Sequence, residues 1–152
     1  SKYSIKKLSK IFKHSDKIVF IAAVAPVKSI EMFSKNLKIC ENIILTLRNI
    51  KFKQLLYVSS DAVFADSKRK INEDSMTLPV SYHGFMHLIR EKLLSEFTKK
   101  LTIIRPTLIY GKNDPHNGYG PNMFIRNAQK KIDLSLFECL MLFSFHLLGA
   151  LP

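Results

Sequence analysis

Apolar and polar positions alternate in blocks along the 152 residues. Residues 1–15 place Ile5, Leu8, Ile11 and Phe12 at helical spacing, with lysines on the other side. Residues 17–23, KIVFIAA, are a continuous apolar run of strand length, the pattern of a parallel strand buried on both faces, and Pro26 breaks it. Helical period returns over 29–49, with Phe33, Leu37, Cys40, Ile44 and Leu47 on one stripe. The pattern then predicts a strand over 55–59, a polar irregular stretch over 61–80, and a helix over 82–99 whose apolar side is Phe85, Leu88, Ile89 and Leu93. A third strand, 101–105, stops at Pro106; residues 113–121, rich in Gly, Asn and Pro, are loop; a helix over 122–131 and a strand over 132–137 follow. Strand and helix thus alternate, and crossovers of this length give parallel strands in an α/β fold. Segments 18–22, 55–59 and 101–105 are expected side by side, with helices on their faces.

Composition narrows the picture little. Hydrophobic residues make up 47% and charged residues 24%, as in ordinary globular proteins, and the length suits one domain with a real core. Residues 1–15 have no signal-peptide form. The two cysteines, Cys40 and Cys139, match no metal or redox spacing, so no metal site is predicted, and Cys40 reads as a buried thiol. The net charge of +12 invites a nucleic-acid reading. The charge is mostly lysine spread along the chain, and no zinc spacing, helix-turn-helix punctuation or aromatic-basic RNA motif accompanies it. It reads as solvated helix faces, and nucleic acid is not an expected partner. Residues 138–152, ECLMLFSFHLLGALP, are apolar on all sides, yet shorter than the roughly 20 residues of a bilayer span, and they carry Glu138 and His146. No membrane partner is expected.

Candidate chemistry concentrates in residues 55–92. The second strand ends on Ser59, Ser60 and Asp61, and Tyr82 opens the next helix with Met86 four residues on, on the same face. A serine at the carboxyl end of a parallel strand and a tyrosine on the following helix can converge on one crevice. A phenol and a hydroxyl there could take and give the proton of a substrate alcohol.

This arrangement resembles the NAD-dependent epimerase/dehydratase family, the extended short-chain dehydrogenase/reductases. The run Ser59-Ser60-Asp61-Ala62-Val63-Phe64 is similar to the family's strand-end element, and Tyr82-His83-Gly84-Phe85-Met86 to its Tyr-x-x-x-Lys. Ala22-Ala23 after the first strand, Asn36 and Asn42 on the long helix, Arg105-Pro106 with Tyr110-Gly111, and Asn122 after Gly120-Pro121 match further elements in order. The resemblance implies a Rossmann-like doubly wound parallel sheet, NAD or NADP as cofactor, and a nucleotide-activated sugar as substrate. It implies catalytic roles for Ser60, Asp61 and Tyr82. It places Ala22, Ala23, Asn36, Ser59, Met86, Arg105 and Pro106 at the cofactor and Asn122 at the sugar nucleotide. A cytoplasmic protein and a homodimer through the helices at 29–49 and 82–99 go with it. On its own, Asn36 reads as a solvent-facing polar residue; by resemblance it holds the backbone of the site loops.

Two departures stand out. Met86 replaces the lysine that lowers the tyrosine pKa and holds the nicotinamide ribose; by simple spacing none of His83, His87 and Arg90 shares that face with the right reach. All five glycines lie after residue 83, so no glycine-rich strand-to-helix turn is present for a diphosphate. Residues 1–137 are therefore expected to be a partial NAD(P)-binding domain, the central and C-terminal half, followed by an atypical apolar tail at 138–152. The reaction (epimerisation, dehydration or reduction) stays open. The alternatives are a non-catalytic protein of the same descent and, less favoured, a basic nucleic-acid-binding protein.

Overall fold

A computed structural model of the chain describes residues 4–65, 70–107 and 121–130. The chain divides into two compact units, Ser1–Thr107 and Leu108–Pro152. The first holds helix α1 (Ile5–Ile11), strand β1 (Lys17–Phe20), helix α2 (Ile30–Leu47), strand β2 (Gln54–Val58), a single 3-10 turn (Asp61–Val63), helix α3 (Tyr82–Phe97) and strand β3 (Leu101–Ile104). Of the second unit, helix α4 (Pro121–Gln129) is described. The expected strand at 132–137, the tail at 138–152, and Tyr110 and Gly111 lie outside the described residues.

The three strands form one parallel sheet in the order β1-β2-β3, as the alternating pattern predicts. Register places Ile18, Leu55 and Leu101 in one row and Phe20, Tyr57 and Ile103 in another. Both rows face the core, where they meet Leu8, Ile39, Cys40, Ile43, Leu47 and Leu94 from the helices. Helix α1 packs on α2, and α2 on α3. Serine side chains start the two long helices: Ser29 Oγ accepts from the Met32 N–H at 3.3 Å and Ser81 Oγ from the Gly84 N–H at 3.1 Å. Each such cap is worth about 1 kcal/mol.

Three expectations need correction. The strands are not buried on both faces among the described residues: burial alternates along β1, and Val19 is 57% exposed. β1 is also shorter than its apolar run, ending at Phe20. The third concerns α3. Its predicted apolar side is largely outside, with Phe85, Ile89 and Leu93 all exposed, while Gly84, Met86, His87, Arg90, Glu91 and Leu94 are buried. Polar groups turn inward here because each finds a specific partner at the sheet, which removes the usual cost of burying them.

Candidate active site at the carboxyl end of the sheet

The loop leaving β1 is held by a side chain, not by secondary structure. Asn36 is fully buried on α2, so it is not the solvent-facing residue that its isolated sequence context suggests. Its Oδ1 accepts from the Val24 N–H at 3.0 Å, and its Nδ2 donates to the Val24 carbonyl at 2.9 Å and the Met32 carbonyl at 2.8 Å. Arg90 of α3, also fully buried, reinforces it. Arg90 Nη1 donates to the Ala22 carbonyl at 3.0 Å, Nη2 to the Asn36 carbonyl and Oδ1 at 2.6 and 3.0 Å, and Nε to the same carbonyl at 3.1 Å. Its guanidinium lies 5.0 Å from the Phe20 ring centroid, a favourable cation–π distance. Ala22 is half-buried and Ala23 exposed, so the pinned backbone presents small side chains to its surroundings.

A second polar group joins β2 to β3. Glu91 is buried on α3 and accepts from Ser59 Oγ at 2.5 Å, from Arg105 Nε at 3.0 Å and from Arg105 Nη2 at 2.8 Å. The paired bonds from Arg105 form a fork on one carboxylate, a strong geometry, and the Glu91 carboxylate holds the guanidinium pKa above its ordinary value. Ser59 and Arg105 thus anchor the strand ends through Glu91. Arg105 also covers Phe64, 5.0 Å from its ring centroid.

Ser60 and Asp61 begin the 3-10 turn. Ser60 is half-buried; its Oγ accepts from the Ala62 N–H at 3.1 Å and donates to Asp61 Oδ1 at 3.2 Å. Asp61 is exposed, and its backbone N–H donates to the Pro106 carbonyl at 3.2 Å, which ties the β2 and β3 exits together. The first turn of α3 presses on this 3-10 turn. Glycine at 84 is what allows that approach: a Cβ there would lie 2.0 Å from the Ala62 carbonyl oxygen and 2.9 Å from Pro79 Cβ.

On α3 itself, Tyr82 is 53% exposed, its ring edge-on to Phe33 at 6.5 Å. Met86 is 0% exposed. Beside it, His87 is buried, with Nδ1 2.8 Å from the Tyr57 hydroxyl. Burial, then the nearby His83 and Arg90, bring the His87 pKa down to about 3, so the ring is neutral. Burial likewise pushes the Tyr57 phenol well above its usual value. His83 is half-buried and stands edge-on to His87, centroids 4.7 Å apart.

Among the predicted site residues, the structure therefore joins Ala22 with Asn36 through Arg90, Ser59 with Arg105 through Glu91, Ser60 with Asp61, and Asp61 with Pro106. Asn122 lies on α4, in the other unit. Tyr57, His87, Arg90 and Glu91, which make most of the polar contacts, escape the sequence reading. For the three on α3 the signal is the spacing 84, 87, 90, 91, 94, an inward helical stripe that carries charge. Among the described residues no three His, Cys, Asp or Glu side chains gather as a metal site, and no helix is long and apolar enough to cross a membrane.

Comparison with known proteins places this architecture. The profile of the NAD dependent epimerase/dehydratase family matches residues 3–144. The chain belongs to that family. A relative from Escherichia coli O157:H7, N-acetyl-alpha-D-glucosaminyl-diphospho-ditrans,octacis-undecaprenol 4-epimerase, is 28% identical over 93 residues, 57% of this chain and 28% of that protein. The fold is similar to that of UDP-N-acetylglucosamine 4-epimerase from Bacillus cereus (TM-score 0.73, 23% identity, 84% of this chain and 51% of that one). It is also similar to UDP-glucuronic acid 4-epimerase from Bacillus cereus in complex with NAD (TM-score 0.71, 20% identity, 82% and 42%). The chain spans about half the length of these solved relatives.

The family implies a nicotinamide dinucleotide. The β1 exit fits the approach of such a group, since Ala22 and Ala23 are small and the backbone around them is pinned by Asn36 and Arg90. For the diphosphate the chain has no glycine before residue 84, and no glycine-rich strand-to-helix turn is found among the described residues.

Proposed function

We propose that these residues are the catalytic middle of an NAD(P)-dependent epimerase/dehydratase-type oxidoreductase acting on a nucleotide-activated sugar. The observation that carries the reading is the convergence of three carboxyl-end segments in a chain of this family. These are the β1 exit held by Asn36 and Arg90, the Ser59–Asp61 segment, and the first turn of α3 against it. The UDP-sugar 4-epimerases with the same fold support a nucleotide sugar as substrate. In this reading NAD or NADP, when bound, accepts and returns a hydride. Ser60 and a side chain from the first turn of α3, Tyr82 on the family pattern, hold the reacting oxygen. Asp61 supplies an acid–base group beside it. Ala22 and Ala23 wall the cofactor, Asn36, Met86, Ser59, Arg105 and Pro106 brace that wall from behind, and Asn122 meets the sugar nucleotide. The protein works in the cytoplasm, without a nucleic-acid partner. It dimerises through α2 and α3, where the exposed Phe85, Ile89 and Leu93 form a stripe at helical spacing.

Calorimetric titration of the chain with NAD and NADP tests whether these 152 residues hold the dinucleotide tightly by themselves. No isotherm of micromolar affinity is expected. Losing two backbone bonds to a charged diphosphate, each worth roughly 1.5–3 kcal/mol, weakens binding on the order of a hundredfold or more. A one-to-one micromolar isotherm sinks that expectation. Met86, fully buried where the family carries lysine, favours a second reading, a non-catalytic protein of the same descent. Interconversion of UDP-N-acetylglucosamine and its C4 epimer, followed by NMR with added NAD, tests the second reading: any turnover excludes it.

A further inference from the structure

The family pattern asks α3 for two groups four residues apart, and this helix carries two such pairs, Tyr82 with Met86 and His83 with His87. The structure treats them differently. Tyr82 is on the outside of the first turn, against Phe33 of α2. His83 turns inward, where the Asp61 carboxylate interacts with its ring. Its Nδ1 is buried without a hydrogen-bond partner, the one side-chain atom among the described residues so placed. Gly84 is what lets this turn of helix lie against the Ala62 carbonyl and bring position 83 to the end of β2. Below His83, the His87 ring and the Tyr57 hydroxyl continue the polar column into the sheet. A buried nitrogen left unpaired costs about 1–3 kcal/mol and calls for a partner that binds there.

We propose that His83, with His87 beneath it, is the proton-carrying pair of α3 in this chain, in the place of the tyrosine and lysine of the family pattern. The proposal rests on the nucleotide-sugar reading above. A substrate carbinol O–H donates to His83 Nδ1, which needs Nε2 to carry the ring proton. The O–H bond breaks as its proton moves to Nδ1, and the carbon's hydrogen leaves with two electrons as hydride for an oxidised nicotinamide dinucleotide. The carbinol becomes a carbonyl and the ring an imidazolium, and the reverse steps return both hydrogens. Three groups act on the ring, His87 by direct contact and Asp61 and Arg90 through their charge. Asp61 of the 3-10 turn favours the imidazolium, Arg90 of α3 opposes it, and His87 of α3 is neutral. Burial holds the His83 pKa below its usual value, so the ring stands unprotonated at neutral pH and ready to accept.

Long-range proton–nitrogen NMR of the histidine rings in the full chain tests this. Without ligand, His83 is expected to titrate below an ordinary histidine, and Asp61→Asn, at an exposed position, should lower it further. An Asp61→Asn variant whose His83 titrates unchanged overturns the proposal without touching the nucleotide-sugar reading. UDP-N-acetylglucosamine and NAD are then added together at about 10 mM, enough to read millimolar affinities. A shift at His83 Nδ1 is the expected result. Shifts confined to the Tyr82 ring overturn the proposal and leave the nucleotide-sugar reading standing. If neither ring responds, the proposal falls.

Discussion

Replacing Glu91 by glutamine tests the account of the strand ends most directly. The carboxylate side chain is 4% exposed and accepts three bonds, one from Ser59 and two from Arg105. Glutamine keeps the shape but offers an NH2 where one oxygen stood, so at least one Arg105 donor faces another donor and the guanidinium loses its counter-charge. Removing one partner of a fully buried pair costs about 3–5 kcal/mol. Arg105 is 24% exposed on its side chain and can recover some hydration, which lowers the expectation to about 2–3 kcal/mol. Equilibrium urea unfolding, followed by circular dichroism, measures it. Arg105→Met and the double variant complete a cycle, in which the double variant should lose clearly less than the two single losses added together. A Glu91→Gln loss below about 0.5 kcal/mol would place the pair among solvent-screened surface bridges and refute the claim that it anchors β2 to β3.

The remaining expectations are of different kinds. His87 has its pKa lowered from 6.5 to about 3 in the fold, so the unfolded chain binds the extra proton; stability should be full above pH 6.5 and fall as pH drops toward 3, by about 2 kcal/mol at pH 5. Urea unfolding at pH 7 and pH 5 checks this, and His87→Gln should remove most of the difference. Gly84→Ala should destabilise by about 2 kcal/mol despite its better helix propensity, because the new Cβ meets backbone at 2.0 Å; a rise in melting temperature contradicts the close approach. Sedimentation equilibrium should show a dimer that Ile89→Glu dissociates, and a monomeric wild-type chain would remove the α2–α3 interface.

The sheet was legible because its inward rows are apolar residues at period two, Ile18 with Phe20 and Leu55 with Tyr57, flanked by helical stripes. Both-face burial was not, since a run such as KIVFIAA looks the same whether or not something covers Val19. Period alone cannot tell a covered apolar face from an open one. Asn36 was legible only through resemblance. Nothing in its neighbours announces that a buried amide will replace secondary structure in holding Val24.

Helix α3 shows where reading by hydrophobicity reverses. Phe85, Ile89 and Leu93 make a regular apolar stripe, so a pattern search turns them inward and leaves His87, Arg90 and Glu91 to solvent. The fold does the opposite because each polar group has a partner fixed elsewhere: Tyr57 on β2, the Ala22 and Asn36 carbonyls, and Arg105 beyond β3. Those partners lie 14 to 68 residues away in sequence, beyond any local window. The same inversion decides how the helix meets the site. A pattern that looks for a tyrosine selects Tyr82, whereas a helix rotated to bury His87 and Glu91 carries His83 inward with them. Met86 fills the interior beside a polar column that runs from His83 through His87 to Tyr57.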